Sequence, residues 1–380
     1  MENSKNDYQN PTRSEQIRYF GILAAAAAVI IISYFMGIPH YYLGWMAFAV
    51  AAYSVAGNDA IQTVGTFIES KKHIHWIIKT AVFAGLLIIV HLYGWMTEDR
   101  QIHFHRLDSF QEAREFNLLQ LLSPIILVII TRLKAPVSTT FLILGLFGSS
   151  NVEKMLTKSF LGYGIAFFSA LLLWGILGYF QRNEYKEDYI ADAKQEKFWG
   201  FMQWVSSMFL WVAWLLQDTA NIAVFISRKM SWGEFAAAML ILTAALAMII
   251  KSDGGTIQEV VSEKTDVSTA KAATLIDFIY AIVLFIFQYM SRLPMSTTWV
   301  FIGLLAGREF ILHAVTKQDR PYLNTLRTIG KDVLLASLGI AVSLFIIYLS
   351  AFLYSPSKTG WKELLPFQKI VKSSSMQKIQ

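Results

Sequence analysis

The sequence predicts an all-α polytopic membrane protein of about 10–12 transmembrane or re-entrant helices, built as two repeats joined by a polar linker. Three observations carry that prediction. The 380 residues are 55% hydrophobic and only 16% charged, with a mean hydropathy of +0.44, whereas a soluble domain carries about a quarter charged residues. The charge is gathered into a few polar islands between long apolar stretches, and two short motifs recur at one spacing in the two halves. Soluble enzymes, disordered regulators and disulfide scaffolds fit poorly. The absence of cysteine removes thiol catalysis, thiolate metal sites and redox switching. The formal charge of +6 comes with no basic stripe interleaved with aromatics outside the apolar spans, so nucleic acid is not an expected partner. Lys and Arg in excess in loops is the usual membrane-protein pattern.

Residues 1–40 read as an N-terminal tail and an extra helix. The apolar run Tyr19 to Met36 leads into Gly37, Ile38 and Pro39 without a small-x-small cleavage site, so it is expected to be a retained helix. A span needs about 20 apolar residues. Segments 19–36, 76–96, 116–133, 157–181, 200–217, 233–251, 269–291 and 330–354 meet that need. The stretch 41–57 runs into Gly57-Asn58-Asp59 and continues apolar to Ile68, while 137–150 and 295–307 are each entered through a proline and are too short to cross. Such interrupted pieces predict half-helices or re-entrant segments buried in protein. The charge-dense stretch 182–198 is expected to be a solvated linker between a first repeat, 41–181, and a second, 199–354. Segment 252–268 reads as an interfacial amphipathic helix, and 355–380 as a basic tail.

The repeat rests on two motifs. Pro136-Val137-Ser138-Thr139-Thr140 returns as Pro294-Met295-Ser296-Thr297-Thr298, 158 residues on, and Asn58-Asp59-Ala60-Ile61-Gln62 returns as Gln217-Asp218-Thr219-Ala220-Asn221, 159 residues on. Gly145 and Gly303 keep the same register. Duplication of a membrane unit is typical of transporters, with the substrate site between the repeats.

Asp59 and Asp218 are the chemically informative carboxylates. Each lies in a long stretch with no other formal charge, where burial costs several kcal/mol unless the group is paired or solvated. One such aspartate could merely cap a half-helix. Two at matched positions, each followed three residues later by an amide, point to a cation site or a proton carrier. The Pro-x-Ser-Thr-Thr motifs suit a helix N-terminus, where proline's missing N–H is not needed and free N–H groups join the hydroxyls of Ser138, Thr139, Thr140, Ser296, Thr297 and Thr298 in an anion cradle. The bland reading is that the hydroxyls bond back to their own backbone. Two copies favour an oxyanion held between facing half-helix N-termini.

These residues resemble the inorganic phosphate transporter family, the PiT permeases, whose duplicated signatures are close to Gly-Ala-Asn-Asp-Val-Ala-Asn and Pro-Val-Ser-Thr-Thr-His. The resemblance covers about residues 41–354. It implies two inverted repeats and secondary active, alternating-access uptake of phosphate coupled to Na+ or H+. It implies cation ligands at Asn58, Asp59, Gln217 and Asp218, and anion ligands at Ser138, Thr139, Ser296 and Thr297, with Gln62 and Asn221 within reach of either. Gln217 and Gln62 stand where the family has Asn, and Phe141 and Trp299 where it has His. A longer amide changes which ion fits, so sulfate or another tetrahedral oxyanion, or a non-transporting scaffold or sensor, stay as alternatives. An intramembrane Mg2+ enzyme fits less well, because the aspartates lie 159 residues apart and are symmetric. The expected partners are phosphate or a similar oxyanion, a monovalent cation and the lipid bilayer, with a homodimer as candidate assembly and no cofactor beyond the coupling ion. The expected location is the plasma (cytoplasmic) membrane.

Weaker candidates remain. Asp277 has no counterpart in the first half, and either a functional role or an interior hydrogen bond would suit it. Glu69 and Arg228 sit at nearly matched ends of the broken helices, placed to form an ion pair or to face water. His73, His75, His91, His103 and His105 allow zinc, but loop histidines of this spacing are usually solvated. Trp45, Trp76, Trp95, Trp199 and Trp232 read as interfacial anchors.

Overall fold

The computed structural model describes residues 13–132, 137–180, 193–254, 258, 270–316 and 321–354. Pro136, most of the linker, nearly all of segment 252–268 and the basic tail lie outside these residues. The described elements are α1 (Arg13–Phe35), α2 (His40–Val55), α3 (Ile61–Ser70), α4 (Trp76–Thr97), α5 (Leu118–Arg132), α6 (Thr139–Leu142), α7 (Val152–Phe180), α8 (Ala193–Asp218), α9 (Ala220–Ala223), α10 (Trp232–Lys251), α11 (Ala270–Met290), α12 (Thr297–Thr316) and α13 (Tyr322–Tyr354). No strand occurs among the described residues, and eight helices are long and apolar enough to cross a bilayer.

Local chemistry fixes the helix starts. Ser231 and Glu234 form a reciprocal capping box that opens α10. Before α5, the Asn117 side chain accepts from Gln120 N and the Gln120 side chain accepts from Asn117 N, both at 2.9 Å. His75 caps α4 by accepting from Ile77 N. Helix α1 is largely exposed, buries only Leu23 and Ile30, and packs on α2 and α5. It lies at the periphery.

Two expectations about the short segments need correcting. The stretch 41–68 is not two separate half-helices: α2 runs into α3 through a single π turn, Ala56–Ala60, that contains Gly57-Asn58-Asp59. One extra residue in the turn releases backbone groups and pushes these side chains inward. The segment expected at 295–307 is continuous with the polar stretch after it, giving α12 a full 20 residues. The apolar face of Arg308 to Thr316 extends the helix, and Arg308 is buried over the Trp174 ring. Only 137–150 stays short, as the single turn α6 followed by two 3-10 turns.

Packing joins the halves. Helix α12 of the second half lies along α7 of the first, while α11 lies along α8 within the second half. The α7–α12 approach depends on Gly303 and Gly307, one turn apart on α12, where small residues let membrane helices close up. A β-carbon at Gly303 would sit 2.4 Å from the Tyr163 carbonyl oxygen, and one at Gly307 2.3 Å from that of Phe167. Backbone cannot yield as a side-chain tip can. Gly303→Val is therefore expected to destabilise the protein by about 1–3 kcal/mol, read as a lower melting temperature in detergent. An unchanged melting temperature would mean that the two helices are not in this contact.

Candidate functional site

The π turn, the α8–α9 break and the two Ser-Thr-Thr motifs meet in the interior. Asn58, Asp59, Gln62, Ser138, Thr139, Thr140, Gln217, Asp218, Asn221, Ser296, Thr297 and Thr298 are all buried. All twelve sequence-selected residues are thus interior, and hydrogen bonds tie several of them together around Asp59 and around Asp218.

Asp59 lies in the π turn and Asp218 at the last residue of α8, just before the chain breaks at Thr219 and restarts as α9. Asn58 Nδ2 donates to Asp59 Oδ1 at 2.6 Å and to the Val137 carbonyl at 2.7 Å, tying the π turn to the first motif. Thr298 Oγ1 donates to Asp59 Oδ1 and accepts from Gln62 Nε2, both at 3.4 Å. On the other side Asp218 accepts from Asn221 Nδ2 at 2.7 Å and from Thr297 Oγ1 at 2.6 Å. Thr140 Oγ1 lies within hydrogen-bonding reach of Asn221 Oδ1 at 3.3 Å and the Met295 carbonyl at 3.2 Å. Thr140 and Thr298, at matched motif positions, thus each reach the amide of the other half.

Ser138 and Ser296 do what the bland reading expects: each accepts from the N–H three residues on, Phe141 or Trp299, at 3.4 Å. Their oxygens are used as acceptors, so their protons are left to point elsewhere. Of the two motifs, only the second heads a long helix. The second motif opens the 20-residue α12, whereas the first opens a helix of four residues, too short for aligned peptide dipoles to sum. Tyr280 donates to the Thr297 carbonyl at 2.9 Å and Ser159 accepts from Ser296 N at 2.9 Å, which fixes the second motif from outside.

Sequence reasoning missed Arg106. It lies in the connection between α4 and α5, is 1% exposed, and donates to Gln217 Oε1 and Gln288 Oε1 at 2.6 Å each, and to the Ser291 carbonyl at 3.4 Å. Burial pushes its guanidinium down to about 10, opposed by the charge of Asp218, so it stays cationic at neutral pH. Lys158 donates to the carbonyls of Ser291 and Leu293 at 3.0 and 2.5 Å. Nothing in the sequence marked either residue, since a basic residue in a polar loop or near a helix start normally faces water.

The weaker candidates resolve differently. Asp277 accepts from Thr66 at 2.7 Å and Ser207 at 2.5 Å, the interior hydrogen-bonding role. Glu69 pairs with Lys72 at 2.5 Å, while Arg228 donates through its guanidinium to the Gln111 carbonyl, so the two have different partners. His105 lies between Glu98 and Asp108 at 2.8 and 3.0 Å. His91 contacts the Leu87 carbonyl and Thr219. Burial, with Arg228 nearby, pushes His103 down to about 3, and it is neutral. Among the described residues no group of three or more His, Cys, Asp and Glu is placed to hold a metal.

Fold and spans together define an all-α polytopic integral membrane protein. No family model and no curated protein matches the chain. Among solved structures it is similar to one described as the sodium-dependent phosphate transporter, with a TM-score of 0.54 and 16% identity, covering 82% of this chain and 98% of that one. The two share a fold.

Proposed function

We propose that this protein is a secondary active transporter of inorganic phosphate, coupled to a cation and working by alternating access of a site between two inverted repeats. One observation carries the reading. The buried carboxylate of Asp59 shares its part of the interior with Asn58, Gln62 and Thr139, whose side-chain oxygens Asn58 Oδ1, Gln62 Oε1 and Thr139 Oγ1 have no hydrogen-bond partner among the described residues. Thr139 lies beside Asp59 without a hydrogen bond of ordinary geometry. Acceptors left unpaired in the interior are costly, and a hard monovalent cation with oxygen ligands would satisfy them together. The buried hydroxyls of Ser138, Ser296 and Thr297 and the N-terminus of α12 suit an oxyanion.

Cation and anion would then lower the cost of each other's binding, a reciprocal coupling. The fold shared with a sodium-dependent phosphate transporter supports phosphate and Na+ as the first ligands to try. In proteoliposomes, labelled phosphate uptake is expected to require an inward Na+ gradient and to persist under excess unlabelled sulfate. Uptake that follows a proton gradient alone would reassign the cation. Loss of uptake on adding sulfate would reassign the anion, and no uptake under any condition would reject transport.

A further inference from the structure

The two halves of the site differ in what their oxygens already hold. Around Asp59 three buried oxygens are unpartnered among the described residues. Around Asp218 the corresponding oxygens are in use. Its carboxylate accepts from Asn221 and Thr297, Asn221 Oδ1 lies within hydrogen-bonding reach of Thr140, and Gln217 Oε1 accepts from Arg106 while Gln217 Nε2 donates to the Leu284 carbonyl. Gln217 is one of the positions that the family resemblance implies as a cation ligand. Its only amide oxygen instead carries a guanidinium at 2.6 Å.

A free cation does not fit there for two reasons. The amide would have to release a charge-assisted hydrogen bond, and the ion would sit against a fixed positive charge in a poorly solvated interior, where like charges repel far more than in water. The guanidinium is well suited to remain. Two of its nitrogens are bonded across α8 and α11, it is 1% exposed, and no ion pair to a carboxylate is found for it among the described residues. The charge of Asp218, the residue after Gln217, acts on it without a direct ion pair.

We propose that Arg106 is a tethered cation: carried in on the α4–α5 connection, its guanidinium takes the place at Gln217 that a free cation would hold. The second half of the site then binds no free cation, and Asp59 carries all of the coupling. This rests on the transport reading for its purpose, but the charge substitution itself is testable without any anion. The simpler alternative is that Arg106 only caps the C-terminal end of α11 through Gln288 and Ser291. A cap would not change how many cations the protein binds.

The test is the melting temperature of the purified full-length protein in detergent, followed as Na+ replaces choline at constant ionic strength. An ion bound only by the folded state raises stability with the logarithm of its concentration, in proportion to the number bound. Arg106→Gln is expected to melt lower than wild type at low Na+ and to rise with Na+ about twice as steeply, one ion having been added to one. Arg106→Lys, which keeps the charge, is expected to keep the wild-type slope. Equal slopes for wild type and Arg106→Gln, whether shallow or flat, overturn the proposal. Should Arg106→Gln fail to fold, Asp59→Asn decides: a tethered cation requires the whole Na+ response to vanish, and a residual response of about half overturns it. Because no phosphate is present, failure of wild-type phosphate uptake would reject the transport reading without altering these slopes.

Discussion

Asp59→Asn is expected to abolish cation-coupled uptake while leaving the protein folded. The amide keeps the shape of the carboxylate and can still meet Asn58 and Thr298, its hydrogen-bonded neighbours. What it removes is the negative charge in the part of the interior where Asn58 Oδ1, Gln62 Oε1 and Thr139 Oγ1 are unpartnered among the described residues. At an effective dielectric of about 20 and a separation of about 4 Å, a carboxylate attracts a monovalent cation by about 4 kcal/mol, roughly a thousandfold in affinity. Initial rates of phosphate uptake in proteoliposomes, at a Na+ concentration that half-saturates the wild type, are the measure. Uptake within a few-fold of wild type would remove Asp59 from the cation site.

Thr297→Val is expected to raise the KM for phosphate by about 10-fold to 100-fold, with Thr297→Ser close to wild type. Valine matches threonine in shape, and Tyr280 holds the backbone through the Thr297 carbonyl, so the motif stays in place. The change deletes one hydroxyl, leaving Asp218 Oδ2 without the 2.6 Å donor it has here; that hydroxyl has a single proton, which reaches the proposed anion only when it turns away from Asp218. A hydrogen bond to a charged group is worth about 1.5–3 kcal/mol, which sets the range. If the valine variant kept the wild-type KM, Thr297 would be serving only to orient Asp218.

Much of this was legible because membrane burial simplifies sequence. Within hydrocarbon a helix must satisfy its own backbone, so long apolar runs such as 76–96 and 233–251 translate into α4 and α10 nearly residue for residue. Duplicated polar groups in such runs stand out because each costs energy unless paired, and all twelve selected residues are buried. The helix breaks were harder. Asn58-Asp59-Ala60 and Gln217-Asp218-Thr219 occupy matched positions, yet the first is absorbed as a π turn and the second ends a helix. Both geometries free backbone groups, and only the surrounding contacts choose between them.

By itself, the sequence determined that this chain is an α-helical membrane protein with two buried aspartates and two hydroxyl motifs at matched places. The tertiary structure decided which oxygens remain available. Asn58, Gln62 and Thr139 keep open acceptors around Asp59, whereas Gln217 spends its oxygen on Arg106, a residue 111 positions away in a loop that gave no sign of burial. The physical reason is range: hydropathy and motif spacing report a residue's neighbours along the chain, while the occupancy of a lone pair depends on which distant donor the packed helices bring to it.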